Sequence, residues 1–426
     1  MIISNYGIVS SQSYTSYFTG NSIDSLSIPH GGVCMMGGAS ENDNAMKWFL
    51  EQANGGDVLV LRASGSDGYN NYLYSTLGIS VNSVETIVFN NASASYDTYI
   101  LNKIRKAEAI WFAGGNQWDY VSYWRNTPID SLINDGITNR NIVIGGTSAG
   151  MAILGGVYFS AKNGSVTSST ALNNPYDLHV QVDSSSFIHT PYLQNVITDT
   201  HYDNPNRKGR QIAFMARALT DFGIDVKGIA CDEYTSICID TNGIASVYGG
   251  FPTYDDNAYF IQINCEKANN LPENCNANMP LNWNQGGEAI KACKLKGTSN
   301  GQNTFSMLDW KTNVGGQWND WYIDNGTLYE NTGIQINCSG VGITNITRHA
   351  DVQVAPNPTS NSIHIYSAQP IIKASLFEIN GRIIYDVNPN LPDFIIDMQS
   401  FNSGIYLLKI QTFEFVSIRK ITLIKD

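Results

Sequence analysis

Residues 141–156, NIVIGGTSAGMAILGG, read as a buried strand, a tight turn at Ser148 and the start of an apolar helix. The run before the turn lacks the apolar-polar alternation of a half-exposed strand, which fits a strand covered on both faces. The same rhythm of short apolar run, glycine-bearing turn and helical periodicity recurs over residues 26–250. GGVCMMGGAS precedes a helical stretch at 44–52, and DVLVLRASG follows as a second strand. ETIVFN, a helical segment near 96–106 and AEAIWFAGG supply two more strands. An α/β domain is therefore predicted, with a mostly parallel sheet and helices on both faces. Beyond about residue 250 the helical period fades, and short mixed strands separated by turn signals predict a β-rich extension to about 345. A break follows at NITRHADVQVAPNPTS. After it SIHIYS, IKASLFEI, GRIIYDV, FIIDM, GIYLLKI and IRKITLI, with an Asn380-Gly381 turn among them, predict a small β-sandwich.

The 426 residues suffice for two domains, and 42% of them are hydrophobic. Only 15% are charged, below the quarter or so usual in soluble proteins. Asn, Ser, Thr, Gly and Tyr solvate the surface instead, a style that recurs in exported bacterial proteins. A net charge of -12 argues against nucleic acid as a partner, because phosphate binding needs clustered cations. No apolar run is long enough to span a membrane as a helix. Residues 1–20 lack the basic start and apolar core of a signal peptide, so an exported protein is expected to have its signal upstream or already trimmed. The seven cysteines show no C-x-x-C spacing. Cys34, Cys231 and Cys238 sit in apolar runs as small buried hydrophobes. Cys265, Cys275, Cys293 and Cys338 lie in polar, loop-rich sequence, where one or two bridges in any of three connectivities are possible.

Gly146-Thr147-Ser148-Ala149-Gly150 is a G-x-S-x-G string between strand and helix. Such an elbow exposes a serine oxygen at the carboxyl end of a sheet, with a helix amino terminus favouring negative charge; the same string also serves as a glycine-rich turn with an N-capping serine. A nucleophile needs a base and an orienting acid. His349 and His364 lie too far toward the terminal domain. His179, His189 and His201 follow the serine closely, and His201 stands out, with Asp199 before it and Arg207 and Arg210 after it. Glu233 ends an apolar strand in KGIACDEYTSICID, with Asp232 as the rival acid.

Gly114-Gly115-Asn116-Gln117, GTSAG, the D-x-H of Asp199 and His201, Arg207, Arg210 and Asp232-Glu233 together resemble the cyanophycinase and aspartyl dipeptidase family of serine peptidases. The likeness covers about residues 26–250 and weakens toward 345. It implies a class I glutamine amidotransferase-like α/β fold, with Ser148 as nucleophile, His201 as general base and acid, and Glu233 orienting the imidazole. The backbone N–H groups of Ala149 and of Gly115 or Asn116 would form the oxyanion hole. Gln117, Asp199, Arg207 and Arg210 would line a pocket for a peptide bearing an acidic residue. No metal or cofactor is implied, and a homodimer is consistent with the likeness. Cyanophycinases carry an arginine four residues after the histidine. Here Pro205 takes that place, which removes a donor and puts β-aspartyl-arginine specificity in doubt.

VAPNPT, the NGR turn and SGIYLLKI resemble the C-terminal sorting domain of the type IX secretion system. This implies the secretion machinery as a partner, export across the outer membrane, and a Sec signal outside the residues given. The resulting division is an N-terminal segment 1–25, a peptidase-like domain 26–345 with its β-rich extension 251–345, a linker 346–356 and a sorting domain 357–426. The expected function is a secreted serine exopeptidase or isopeptidase acting on aspartyl bonds. The alternative is a surface-displayed binding protein on the same scaffold, with its triad unused.

Overall fold

The continuous apolar runs become strands whose side chains are buried on both faces: Val58, Leu59, Val60 and Leu61 are all buried, as are Ala109 to Phe112. The computed structural model describes residues 12–184, 186–338, 353–378, 382–411 and 416–425. The chain divides into two units, Met1–Asn337 and Cys338–Asp426. Chain order begins β1 (Tyr14–Gly20), β2 (Gly32–Met36), α1 (Asp43–Gln52), β3 (Asp57–Arg62), α2 (Gly68–Asn71), β4 (Ser83–Phe89), α3 (Thr98–Lys106), β5 (Ala109–Phe112), α4 (Gln117–Trp124), α5 (Pro128–Asn139), β6 (Val143–Thr147) and α6 (Ala149–Ala152). There follow β7 (Tyr158–Phe159), α7 (Ser168–Asn173), β8 (Val182–Asp183), β9 (Val196–Asp199), α8 (Lys208–Phe222), β10 (Lys227–Cys231), β11 (Ser236–Ile239), β12 (Ile244–Phe251), β13 (Asn257–Ile263), β14 (Ile290–Lys296), β15 (Asn303–Ser306), β16 (Asn313–Val314), β17 (Gly316–Asp324) and β18 (Thr327–Thr332). Polar side chains set the helix starts. Asn42, Asp97, Asn116 and Thr127 each accept a first-turn amide, of α1, α3, α4 and α5, and Pro128 occupies the first turn of α5.

Among the described residues the first sheet runs β1-β4-β3-β5-β6-β2-β11-β12-β15-β16. Its centre, β4-β3-β5-β6-β2, is parallel, and antiparallel strands flank it on both sides. A second sheet, β18-β17-β14-β13-β10-β9, is parallel only between β9 and β10. The β-rich extension is thus no appendage. Its strands widen both sheets, and antiparallel pairing already begins at β11, ahead of residue 251. One core packs Met46, Phe49 and Leu50 of α1 on Cys34, Val60, Trp111 and Val143. Another packs Ile212, Phe214 and Met215 of α8 with Trp283 and Trp321. The apolar helix expected after Ser148 is corrected to the single turn of α6, because the chain at Gly155 and Gly156 packs closely on the backbone of residues 193–196. A Cβ on Gly156 would collide with the Gln194 carbonyl.

In the second unit, β19 (Gln353–Ala355), β20 (Ser362–Ile371) and β23 (Leu391–Asp397) form one antiparallel sheet. A second contains β22 (Ile383–Val387), β21 (Lys373–Glu378), β24 (Gly404–Gln411) and β25 (Val416–Leu423). Ile363 and Ile365, Tyr406, Leu408 and Ile410 alternate inward from the two sheets into one core. Residues 346–352 of the expected linker and the Asn380-Gly381 turn lie outside the described residues, while 353–355 are strand β19 rather than linker. Cys34, Cys231 and Cys238 are buried free thiols. Cys265 and Cys338 are disulfide-bonded. Cys275 and Cys293 are free and buried, so the loop-like reading of Cys293 is corrected: it lies inside β14.

Candidate active site

Parallel strands β6, β5 and β2 end at one edge of the sheet, and Ser148 follows β6 directly. Its backbone has φ 50° and ψ -116°, a conformation that costs a residue with a side chain about 1–3 kcal/mol. The turn is held from both sides. The Ser148 N–H donates to the Met36 carbonyl (3.1 Å) at the end of β2. A Cβ at Gly150 would strike the Phe112 carbonyl, and one at Gly146 would strike the backbone of Gly150. Both glycines of the pentapeptide are required by close backbone approach.

Ser148 Oγ lies 2.8 Å from His201 Nε2. His201 Nδ1 lies 2.6 Å from Glu233 Oε1. With the proton on Nδ1 directed at the carboxylate, the Nε2 lone pair faces the serine hydroxyl. The imidazole is fixed by its surroundings: the His201 N–H donates to the Gly37 carbonyl (2.8 Å), and Gly38, at φ +125°, lies so close to the ring that a Cβ there would overlap it. Asn204 Nδ2 donates to Glu233 Oε2 (3.3 Å), and the Glu233 N–H donates to Asp203 Oδ1 (2.9 Å). Hydrogen bonding from His201 is the largest influence holding the Glu233 carboxyl below its ordinary range. Asn204 and the charges of His201 and Arg207 add to it, against an opposing desolvation. Asp232 does not reach this network. Its Oδ2 accepts from Asn257 Nδ2 (2.8 Å), its Oδ1 has no hydrogen-bond partner among the described residues, and burial raises its pKa to about 7.

The turn after β5 covers the serine. A Cβ on Gly114 would stand 3.6 Å from Ser148 Cβ, and Tyr120 Oη holds the turn from 2.9 Å of Ala113 O and 3.1 Å of Gly114 O. The Asn116 side chain is occupied as the cap of α4, accepting from the Trp118 N–H. Among the described residues, no turn or loop hydrogen bond uses the amides of Gly115, Asn116 or Ala149. The short α6 contributes little macrodipole, so those local amides are the donors this edge can offer.

The residues expected to bind substrate divide into two groups. Arg207 is half-buried, donates from Nη1 to the Thr200 carbonyl (2.9 Å), and forms no ion pair among the described residues. Burial and then neighbouring Arg210 lower its pKa, while Asp199, Glu233 and Asp203 oppose them. Arg210 and Asp199 instead bind each other, with Nε to Oδ2 at 2.8 Å and Nη2 to Oδ1 at 2.5 Å, both side chains only 4% exposed. Arg210 Nη1 also donates to Ser165 Oγ (3.1 Å) and the Val166 carbonyl (3.3 Å). These two residues, expected to line a substrate pocket, form a closed, buried pair with each other. Gln117 donates from Nε2 to the Phe159 carbonyl, and Pro205 is exposed. His179 pairs with Asp177 (2.8 Å), and His189 is exposed.

Sequence reasoning overlooked Gly38, Asp203 and Asn204. The Gly37-Gly38 pair after a buried strand was the visible signal for the first, and the polar run directly after His201 for the others.

Residues 34–179 match peptidase family S51, and residues 353–425 match the secretion system C-terminal sorting domain. The chain is 23% identical over 229 residues to a cyanophycinase of Synechococcus elongatus, covering 52% of this chain and 66% of that protein. It is 25% identical over 146 residues to a cyanophycinase of Trichormus variabilis, covering 34% and 44%. The chain therefore spans 66% or less of the length of these relatives. Among solved structures, a peptidase from an acI-B1 Actinobacterium is similar at 15% identity and TM-score 0.39, covering 52% of this chain and 89% of that one. A putative peptidase E protein from Listeria monocytogenes is similar at 15% identity and TM-score 0.33, covering 52% and 98%.

Proposed function

From the premise that this chain carries a peptidase family S51 domain and a secretion system sorting domain, we propose that it is a secreted serine peptidase cleaving aspartyl bonds of short acidic peptides. The observation that carries the proposal is the continuous hydrogen-bond chain from Ser148 through His201 to Glu233, with the serine at a strained elbow. As Ser148 Oγ attacks the substrate carbonyl, its proton passes to His201 Nε2. Ionised Glu233 stabilises the imidazolium, and the amides of Ala149 and of Gly115 or Asn116 receive the developing oxyanion. His201 then gives the proton to the leaving amine. Water repeats the sequence on the acyl-enzyme and frees Ser148.

Arg207 is the cation offered to a substrate carboxylate, since it is half-buried, lies near Glu233 and forms no ion pair among the described residues. Asp199 and Arg210 act behind it by tying β9 to α8 on either side of the His201 loop. Relatives called cyanophycinase extend the candidate bonds to β-aspartyl linkages. The sorting domain implies secretion across the outer membrane, with the type IX machinery as partner.

A fluorophosphonate probe, applied to wild type and to Ser148→Ala, tests the reading together with assays of α- and β-aspartyl dipeptides. Labelling and turnover that both vanish in Ser148→Ala are expected. No Ser148-dependent adduct and no cleavage of either dipeptide class would favour the non-catalytic binding protein.

A further inference from the structure

Two buried thiols face each other across strands that frame the candidate site. The β2 and β11 register sets Cys34 directly opposite Cys238. Their Sγ atoms are 3.7 Å apart, each is 3.9 Å from the Ala45 carbonyl, and the residues are 0% and 2% exposed. Directly opposed residues on antiparallel strands have Cα separations of about 4.5–5.5 Å, within the span a disulfide bridges. Closing the sulfurs to about 2.05 Å then requires side-chain rotation and little backbone movement. Cys231 is the third buried thiol nearby, but it stands on β10 of the other sheet and has no opposed cysteine.

We infer that Cys34 and Cys238 form a second disulfide in the exported protein. The sorting domain sends the chain through an oxidising envelope, where such bonds form and persist. The pair is sealed once the sheet closes, so oxidation occurs on the incompletely folded chain, by exchange with a protein-disulfide donor of the envelope. One S–S bond forms between the two sulfurs. Their two protons and two electrons convert the donor's disulfide to a dithiol.

The cross-link has a position to serve. Two residues beyond Cys34, Met36 accepts the Ser148 N–H, and Gly37 and Gly38 hold His201. Two residues before Cys238, Ser236 opposes Met36, and the Gly37 N–H donates to the Thr235 carbonyl (2.9 Å) just beyond Glu233. A bond between residues 34 and 238 therefore pins together the two strands whose ends carry the turn under the base and the acid that orients it.

The test uses the full chain exported to a bacterial periplasm, unfolded without reductant, alkylated, digested and mapped by mass spectrometry. The expected map shows a joined peptide pair containing Cys34 and Cys238, with alkylation at Cys231, Cys275 and Cys293. Alkylation of Cys34 and Cys238, or either one joined to a different cysteine, overturns the inference. Melting temperatures of wild type and Cys34→Ala, each refolded from denaturant with or without prior reduction, give a second measurement, because the sealed bond is out of a reductant's reach in the folded chain. Reduction should lower wild type more than the variant, because the variant has no Cys34–Cys238 bond to lose. Equal shifts overturn it.

Discussion

His201 depends on contacts made by residues with no chemistry of their own. Gly38 lies against the imidazole at a backbone angle that disfavours any side chain, so Gly38→Ala both strains the turn and pushes the ring from Ser148. A displacement of about 1 Å costs up to roughly 100-fold in rate. Gly38→Ala should lower kcat by about 10- to 100-fold with KM little changed, measured on whichever aspartyl dipeptide the wild type cleaves. Glu233→Gln keeps the shape but removes the charge that stabilises the imidazolium and selects its tautomer. A loss of about 10^3- to 10^4-fold in kcat is expected. A variant within a few-fold of wild type would show that Glu233 does not orient the base. Two neighbouring acids were readable at the end of this strand, and their division of labour was not. Strand β10 ends at Cys231, and Glu233 lies in the turn that follows it. That turn carries Glu233 to the histidine and leaves Asp232 buried against Asn257, a division that strand periodicity does not encode.

At the scale of elements, the loop bearing His201 is stretched between the end of β9 and the start of α8, and the Asp199–Arg210 pair fastens those two ends. The sequence placed Arg210 after His201 but did not show that it faces inward, because helix periodicity fixes a face only when its packing partner is known. Removing one member of a buried ion pair leaves the other charge uncompensated at a cost of about 3–5 kcal/mol, whereas replacing both by apolar residues costs far less. Asp199→Leu and Arg210→Met should each shift the denaturation midpoint sharply downward, and the double variant should recover most of the loss. Additive losses would show that the two side chains act independently. The β6–α6 elbow was legible because its determinants are local: an apolar run, small residues and glycine.

For the whole molecule, pH acts on buried carboxyls in opposite directions. Burial raises Asp232 from an ordinary value of 3.8, and Glu108 from 4.5, each to about 7. The folded chain then binds protons that the unfolded chain releases, so the stability each lends is complete below its ordinary value and is lost as pH rises through about 7. Glu233, shifted downward, contributes stability that is present above its ordinary value and lost as pH falls. Asp232→Asn should thus leave stability little changed near pH 4 and raise it at pH 8 by up to about 4 kcal/mol. Denaturant midpoints at the two pH values check this, and an equal gap at both would rule out titration of this carboxyl. The chemistry that the sequence alone determined was that of near neighbours: the alternation of strand and helix, the serine elbow, the succession of inward and outward residues in the terminal sheets, and the motifs of a peptidase and a sorting domain. The first three follow from periods of two or 3.6 residues and from turn residues a few positions apart, and the motifs are read by their resemblance to known families. Only the tertiary structure decided that Gly38 backs the histidine, that Asp199 and Arg210 close on each other, that Asp232 is turned inward, and that Cys34 opposes Cys238. Those contacts join residues distant in sequence, and the order and register of strands bring them together, which no local period encodes.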